Sequence, residues 1–199
     1  VRASATNTAI AHGKGIAGGL LAVGISQADA TAGGSVNAHF DGAVTGAIGV
    51  DVQALSTQQA TSETFALGGG IISGSGSLAH ATVNPTVTAS AGSGASIDSV
   101  GAVSIDAGSV AGADATADGI NAGVATVGAS LSTASISPTV NTLIAQGAMI
   151  VAVGKIAVRA RHNVNTNEQL LDKRASASAD ASGGGIVSGN GADPSATSS

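Results

Sequence analysis

Apolar and polar side chains alternate along much of the chain with a period of two residues. From residue 111 to residue 117 every odd position is alanine, and glycine, aspartate and threonine fall between them. A period of two predicts β-strands with one face inward and one outward. Alanine favours helices, but the interleaved Gly, Ser, Thr and Val remove most of that preference. We therefore predict strands, with Ala115 facing inward and Thr116 outward.

A short phrase also returns along the chain at nearly constant intervals. Val1-Arg2-Ala3 recurs as Val52-Gln53-Ala54, Ile105-Asp106-Ala107 and Val158-Arg159-Ala160, at intervals of 51, 53 and 53 residues. The match is closest between residues 94–107 and 147–160, which align without a gap at an offset of 53. Such a period is typical of stacked arrays, in which each repeat covers the apolar face of its neighbour.

Together the two periods predict an all-β fold, a parallel β-solenoid of repeats of about 52 residues with a flattened Ala/Gly-rich core. We expect one solenoid segment, 1–199, with repeats at approximately 1–51, 52–104, 105–157 and 158–199. Two coils of about 26 residues or three of about 18 divide each repeat equally well. The position after the first strand residue is expected on the outer surface, and it is occupied by Arg2, Gln53, Asp106 and Arg159.

The amino-acid composition indicates what kind of core the protein can form. The chain has 30 glycines among 199 residues, 1% aromatic and 10% charged residues, and no cysteine. Large side chains are too few for an ordinary packed core, so cohesion is expected from close backbone approach and long hydrogen-bond ladders. Intrinsic disorder is disfavoured, because the hydrophobic content is 43% and the register is maintained.

One segment interrupts the pattern. The strand phrase stops at Ala160 and the alternation restarts at Ala175, so we predict an inserted loop at 161–174. Five of the seven basic residues lie within 155–174. The segment is either a solvated loop, or short helical turn, or a protrusion that binds a partner, since insertions in solenoids often carry recognition. The residues of this candidate site are Arg159, Arg161, His162, Glu168, Asp172, Lys173 and Arg174.

Motifs for catalysis, cofactors and metals are weak. Residues 13–18 spell G-x-G-x-x-G, but no helical pattern follows, so a dinucleotide site is disfavoured. The histidines, which are His12, His39, His80 and His162, do not recur at the repeat interval and form no metal-binding column. Asp114 and Asp118 could bind calcium, but the nonapeptide of calcium-binding β-rolls is absent, and they are better explained as solvated outer-face carboxylates. We therefore predict no enzyme activity, no cofactor and no metal.

Charge and hydropathy bear on the class of partner. A net charge of −5 and a pI near 5.0 disfavour binding to nucleic acid or to an anionic membrane. The longest apolar run, 15–25, is too short and too rich in glycine to span a bilayer, so no membrane insertion is expected. An ice-binding face needs a regular Thr-x-Thr array, and only Thr86-Val87-Thr88 and the isolated Thr6-Asn7-Thr8 have that spelling.

The repeats also carry a family resemblance. Residues 128–140 read Gly-Ala-Ser-Leu-Ser-Thr-Ala-Ser-Ile-Ser-Pro-Thr-Val, and Gly-Ala-x-Ile and Gly-x-Ile-x-Val-x-Ala follow within 147–160. This sequence resembles the repeats of bacterial filamentous-haemagglutinin-like exoproteins and leukotoxin-type adhesins, over residues 1–160 and again from Ala175. The resemblance implies export to the cell surface, commonly by two-partner secretion, and a role as a long adhesive or structural fibre. It also implies a cell-surface or matrix ligand.

We therefore expect a non-enzymatic, extracellular structural or adhesive fibre segment. The alternatives are a self-assembling filament subunit that stacks end to end and an ice- or surface-binding solenoid. The chain starts on the strand phrase at Val1 and stops at Ser199 inside a repeat. The expected partners are adjoining repeats of a longer chain or copies of itself, end to end.

Overall fold

The computed structural model describes residues 1–165 and 167–199. These residues form nine β-strands in one sheet, and every pairing between those strands is parallel. None of the described residues lies in a helix. The all-β class predicted from the alternation is therefore confirmed. The strands are β1 (Arg2–Phe40), β2 (Ala43–Ala91), β3 (Ser96–Ala122), β4 (Ala125–Ile136), β5 (Thr139–Ile144), β6 (Met149–Ala152), β7 (Ile156–His162), β8 (Ala175–Gly184) and β9 (Val187–Ser198).

Each strand pairs with the chain a nearly constant number of residues further on. β1 pairs with β2 at an offset of 51, and β2 pairs with β3, β4 and β5 at 53, apart from a register shift between Val44 and Gly49. β3 pairs with β6 and β7 at 53, whereas β3 with β8 and β4 with β9 are offset by 62. The chain thus makes four passes along the sheet, starting near residues 1, 52, 105 and 158. Residues paired across successive passes are called a row below.

The sheet curls so that two parts of each pass face one another. Ser77 Oγ donates a hydrogen bond to Thr64 Oγ1 across this interior at 2.8 Å. Close to the bend at Leu20 the two parts come closer still, because a Cβ placed on Gly15 would overlap the backbone of Ile25. Glycine is required here by the close approach of two backbones.

Small side chains fill most of this interior. Ala115 is 2% exposed, whereas Thr116 on the other face is partly exposed, as the alternation predicts. Larger residues are buried near the register shift of β2: Val52, Val87, Ile97, Val103 and Ile105. Of these, Val52, Val87 and Ile105 belong to one cluster. Buried alanine dominates the part nearer the Leu20 bend: Ala60, Ala79, Ala81, Ala111, Ala113, Ala117 and Ala134.

One expectation about the outer surface is wrong. Asp106 was expected to face solvent like Arg2, Gln53 and Arg159 in the same row, but it is only 4% exposed. Its side chain does point outward, and it is covered there by a residue from the fourth pass. That residue belongs to the candidate site.

Candidate functional site at the inserted loop

The pairing of the third and fourth passes shows where residues are inserted into the repeat. The offset is 53 up to the pair Ser109 and His162, and 62 from the pair Ala113 and Ala175. Nine residues are therefore added between these pairs. Because β7 continues through His162, the segment outside the ladder is 163–174, which is two residues shorter than the expected 161–174. β8 begins at Ala175, where the alternation restarts.

The segment 163–174, called the inserted loop from here on, folds back on itself. Val164 and Leu170 form an isolated antiparallel bridge. The side-chain oxygen of Asn165 accepts hydrogen bonds from the backbone N–H groups of Asn167 (2.8 Å) and Gln169 (3.0 Å). An asparagine that bonds its own following backbone in this way stabilises a tight turn. Thr166, which also falls within the expected insertion, lies outside the described residues.

Asn163 closes the gap that the inserted loop leaves in the ladder. No described residue of the fourth pass pairs with Ala111 on β3 through its backbone. Instead, Asn163 Oδ1 accepts from the Ala111 N–H at 2.7 Å and Asn163 Nδ2 donates to the Ala111 C=O at 2.9 Å. Nδ2 also donates to Lys173 O at 3.1 Å. The backbone of Asn163 has φ 51°, a left-handed conformation that asparagine tolerates better than most residues. One side-chain amide thus replaces a peptide group of the missing strand.

Arg161 anchors the base of the loop. It lies two positions beyond Arg159, which is directly paired with Asp106, and its guanidinium reaches back diagonally across β3. Nε donates to Asp106 Oδ1 at 3.0 Å, Nη2 donates to Asp106 Oδ2, and Nη1 donates to Asn165 O at 2.9 Å. The two side chains are only 10% and 6% exposed. This bidentate geometry is the strongest form of Arg–carboxylate pairing. Because Arg161 is already paired with Asp106, its charge is not available to a ligand.

Other charged residues of the predicted site lie at the surface. Arg174 Nη1 is 2.8 Å from Asp172 Oδ1, and these side chains are 75% and 87% exposed. Arg159 Nε is 3.9 Å from Glu168 Oε1. Solvent-exposed pairs of this kind contribute roughly 0–1 kcal/mol to stability. They remain accessible to a ligand, unlike Arg161.

Lys173 connects the inserted loop to the second pass. Its Nζ donates to Gln59 Oε1 at 3.1 Å, and Gln59 Nε2 donates to Asp114 Oδ2 at 2.8 Å. Together with Asp172 and Arg174, these side chains line a hollow of about 330 Å³. Both signs of charge and an amide meet in this hollow, which suits recognition of a polar group by hydrogen bonds. Binding of a partner here stays a prediction.

His162 ends β7 beneath the loop. Neither ring nitrogen has a hydrogen-bond partner among residues 1–165 and 167–199. Burial lowers the pKa of His162 below its usual value of 6.5, since a charged imidazolium is disfavoured away from water. His162 is therefore neutral at pH 7 and adds no positive charge to the candidate site.

A second group of polar side chains was not predicted from the sequence. His39 Nδ1 lies 2.8 Å from Ser90 Oγ, and His39 Nε2 lies 2.9 Å from Asp41 Oδ2. The hydrogen bond from His39 holds the pKa of Asp41 below its usual value. Acid, imidazole and hydroxyl are thus in contact, as in a nucleophilic triad. Ser90 is only 6% exposed, however, so a substrate carbonyl has no approach to it, and the contacts join neighbouring passes.

The remaining sequence motifs acquire plain structural roles. The G-x-G-x-x-G spelling at 13–18 lies inside β1, where Gly13 and Gly15 allow the close approach described above. No cluster of three His, Asp or Glu side chains suited to a metal ion occurs in the described part of the chain. Within the same residues, no helix is long and apolar enough to cross a membrane.

Comparison with protein-family models, curated proteins and solved structures gave no significant match.

Proposed function

We propose that this chain is a segment of an extracellular bacterial fibre, non-enzymatic and with a structural or adhesive role. In this proposal the parallel sheet is a β-solenoid with repeats of about 52 residues. The observation that carries it is the pairing pattern, in which β1 to β9 all pair in parallel with chain 51 to 62 residues away. A fold of this kind grows along one axis only, because each pass contacts chiefly the passes before and after it.

The distribution of side chains supports a role as a rod. Inward positions are mostly alanine, serine, valine and isoleucine, whereas the outward row that begins at Arg2 continues with Gln53, Asp106 and Arg159. A constant interior with a changing exterior fits a scaffold better than a repeated catalytic site. The resemblance of the repeats to those of surface exoproteins supports an extracellular location. The inserted loop is then the place where a cell-surface or matrix ligand would bind.

The rod is tested by its dimensions. Parallel strands lie about 4.8 Å apart, so four passes rise by roughly 20 Å, and a tandem fusion of two copies of residues 1–199 should be about twice as long. Electron microscopy and small-angle scattering of the single and tandem chains measure this difference. An equal cross-section with doubled length supports the rod. A tandem chain that forms two separate compact bodies, or grows in all directions, contradicts it.

The extracellular role is tested in cells that express the native protein. An antibody raised against the inserted loop should stain intact cells, and permeabilisation should add little signal. Replacement of Lys173 and Arg174 by serine should reduce attachment of the purified segment to the cell or matrix surface that it binds. The paired control is serine at Lys14 and Arg2, which lie away from the loop. Staining only after permeabilisation would overturn the extracellular proposal.

A filament subunit that stacks end to end is the alternative within the same architecture. It is distinguished by the length of the native polypeptide, since a short polypeptide that still forms long rods must polymerise.

A surface- or ice-binding role is favoured by one observation. The row Thr31, Thr82, Ser135 and Thr197 carries a hydroxyl in all four passes. Thermal hysteresis of the purified chain, lost when Thr82 is replaced by leucine, would establish that role.

A further inference from the structure

Large aliphatic side chains are exposed in rows on one side of the Leu20 bend. The rows that begin at Leu21, Val23 and Ile25 point outward from β1, and their continuations lie on β2, β4 and β9. We call this surface the aliphatic face. Aliphatic side chains that are more than 40% exposed on it or on the bend beside it are Leu20, Leu21, Val23, Ile25, Ile71, Ile72, Val124, Val127, Leu131, Ile186 and Val187.

In two of the three rows of the aliphatic face, side chains alternate with glycine, whereas the third row reads Leu21, Ile72, Ala125 and Val187. One row reads Val23, Gly74, Val127, Gly189 in successive passes. The side chains of Val23 and Val127 stand on either side of Gly74, at 3.7 and 3.8 Å from the position of a Cβ there. An apolar groove of about 290 Å³ opens between them. The neighbouring row follows the same pattern: Ile25, Gly76, Ala129 and Gly191.

This alternation makes the rows of Val23 and Ile25 complementary to themselves. Strands are about 4.8 Å apart, so projections and holes each repeat at roughly 9.6 Å along the row. Two copies can pack face to face about a two-fold axis that is perpendicular to the row and lies midway between the second and third passes. The first pass of one copy then faces the fourth pass of the other, and the second pass faces the third. The axis therefore sets Val23 against Gly189 and Val127 against Gly74. In the row nearest the bend it sets Leu21 against Val187 and Ile72 against Ala125, which are apolar contacts without glycine holes. A parallel side-by-side pair would instead set valine against valine and leave the glycine holes empty.

We propose that the aliphatic face pairs with the same face of a second copy, antiparallel and about this two-fold axis. The interface is isologous, since the same surface is used by both copies. It is a lateral contact, distinct from the end-to-end growth of the proposed fibre, and either can hold without the other.

The size and charge of the surface support a second copy as its partner. The eleven side chains are on average about two-thirds exposed. If a fully exposed aliphatic side chain has roughly 100 Å² of apolar area, they present on the order of 700 Å² of apolar surface per copy. That is near the roughly 800 Å² that each partner buries in a stable interface, and it exceeds the largest apolar patch of most monomers. Among the rows that begin at Leu21, Val23, Ile25 and Gln27, the one charged member is Asp193, which pairs with Leu131 at the edge of the face, and the two-fold axis sets it against Gln27 of the second copy. Two copies, each with net charge −5, can thus meet here without repulsion between close charges.

The holes provide a test that leaves the single chain intact. A Cβ at Gly189 or at Gly191 would meet nothing within 4 Å. Valine is also preferred over glycine in strands. The double variant Gly189→Val, Gly191→Val should therefore fold normally and fill the holes that Val23 and Ile25 of a second copy need. The matched control is Gly184→Val, whose Cβ is equally unobstructed but which lies on β8, on the other side of the bend.

Sedimentation and light scattering of the native sequence at micromolar concentration should give twice the chain mass of 18.5 kDa. We expect the double variant to weaken self-association at least about tenfold and Gly184→Val to leave it unchanged. The chain contains no cysteine, so thiols can be introduced one at a time. Oxidation should cross-link Val23→Cys to Gly189→Cys when the two variants are mixed, and should not cross-link Val23→Cys to itself.

Several results would overturn the lateral pair. These are a monomer at every concentration, a dimer that survives the double variant, or cross-linking of Val23→Cys only to itself. Open-ended oligomers that the double variant does not affect would support the end-to-end proposal and contradict this one.

Discussion

The ion pair between Arg161 and Asp106 is the best single point at which to perturb the inserted loop. Both side chains are almost fully buried, so Arg161→Met leaves an unpaired carboxylate away from water. Removing one partner of a buried pair costs about 3–5 kcal/mol. In a chain of this size each kcal/mol lowers the Tm by roughly 2–4 °C, so the Tm should fall by about 6–20 °C. Replacing both partners, as Asp106→Leu with Arg161→Met, should recover most of the loss, because no charge is then left unpaired.

Thermal and urea unfolding of the two single variants and the double variant completes a double-mutant cycle, which isolates the energy of the pair from other effects of each substitution. Arg174→Met is the matched control, since its partner Asp172 is exposed and the loss should be at most about 1 kcal/mol. A cost for Arg161→Met no greater than that of Arg174→Met would refute the anchoring role. So would a double variant less stable than both single variants.

Three further predictions concern the same region and the strand faces. Asn163→Ala should cost about 2–4 kcal/mol in urea unfolding, because it leaves two buried polar groups of Ala111 unbonded, whereas a neutral result would show that water replaces the amide. The lowered pKa of His162 means that its stabilising effect is present above pH 6.5 and is lost as pH falls towards the folded-state pKa. His162→Gln should therefore flatten the fall in Tm below pH 6.5, and unchanged pH dependence would exclude this residue as its source. Ala115→Phe should cost at least about 1–3 kcal/mol, and Thr116→Lys less than about 0.5 kcal/mol; equal Tm shifts would reverse the assigned faces.

Local information was enough to predict the strands and their faces. The period of two identified Ala115 as inward and Thr116 as outward, and the structure agrees, because the pleat of a strand fixes sides without reference to distant chain. The restart of β8 at Ala175 was likewise visible as a return of the alternation. The other end of the inserted loop was misjudged by two residues, since Arg161 and His162 extend β7 without continuing the Ala/Val phrase.

Contacts that depend on side chains from another pass were not predictable in the same way. Asp106 is buried because Arg161, 55 residues later, turns back over it, and nothing near Asp106 signals this. The contact of His39 with Ser90 had a signal that was missed, because the two residues are 51 apart, which is the offset of the first two passes. The outward direction of Val23 and Ile25 was also hidden, since alanine and glycine on the inward face make residues 15–25 look uniformly apolar.

The amide of Asn163 has a practical consequence for engineering. The Asn163 amide takes over the hydrogen bonds of Ala111, and Val164 and Leu170 close the base of the loop. The ladder therefore resumes at Ala175 although nine residues have been added to the repeat. Loop-closure entropy rises only slowly with length, by about 0.6 kcal/mol for each doubling. The loop segment between Asn165 and Leu170 is therefore a natural graft point, where an epitope or a small domain can be displayed from the fourth pass at little cost to the fold.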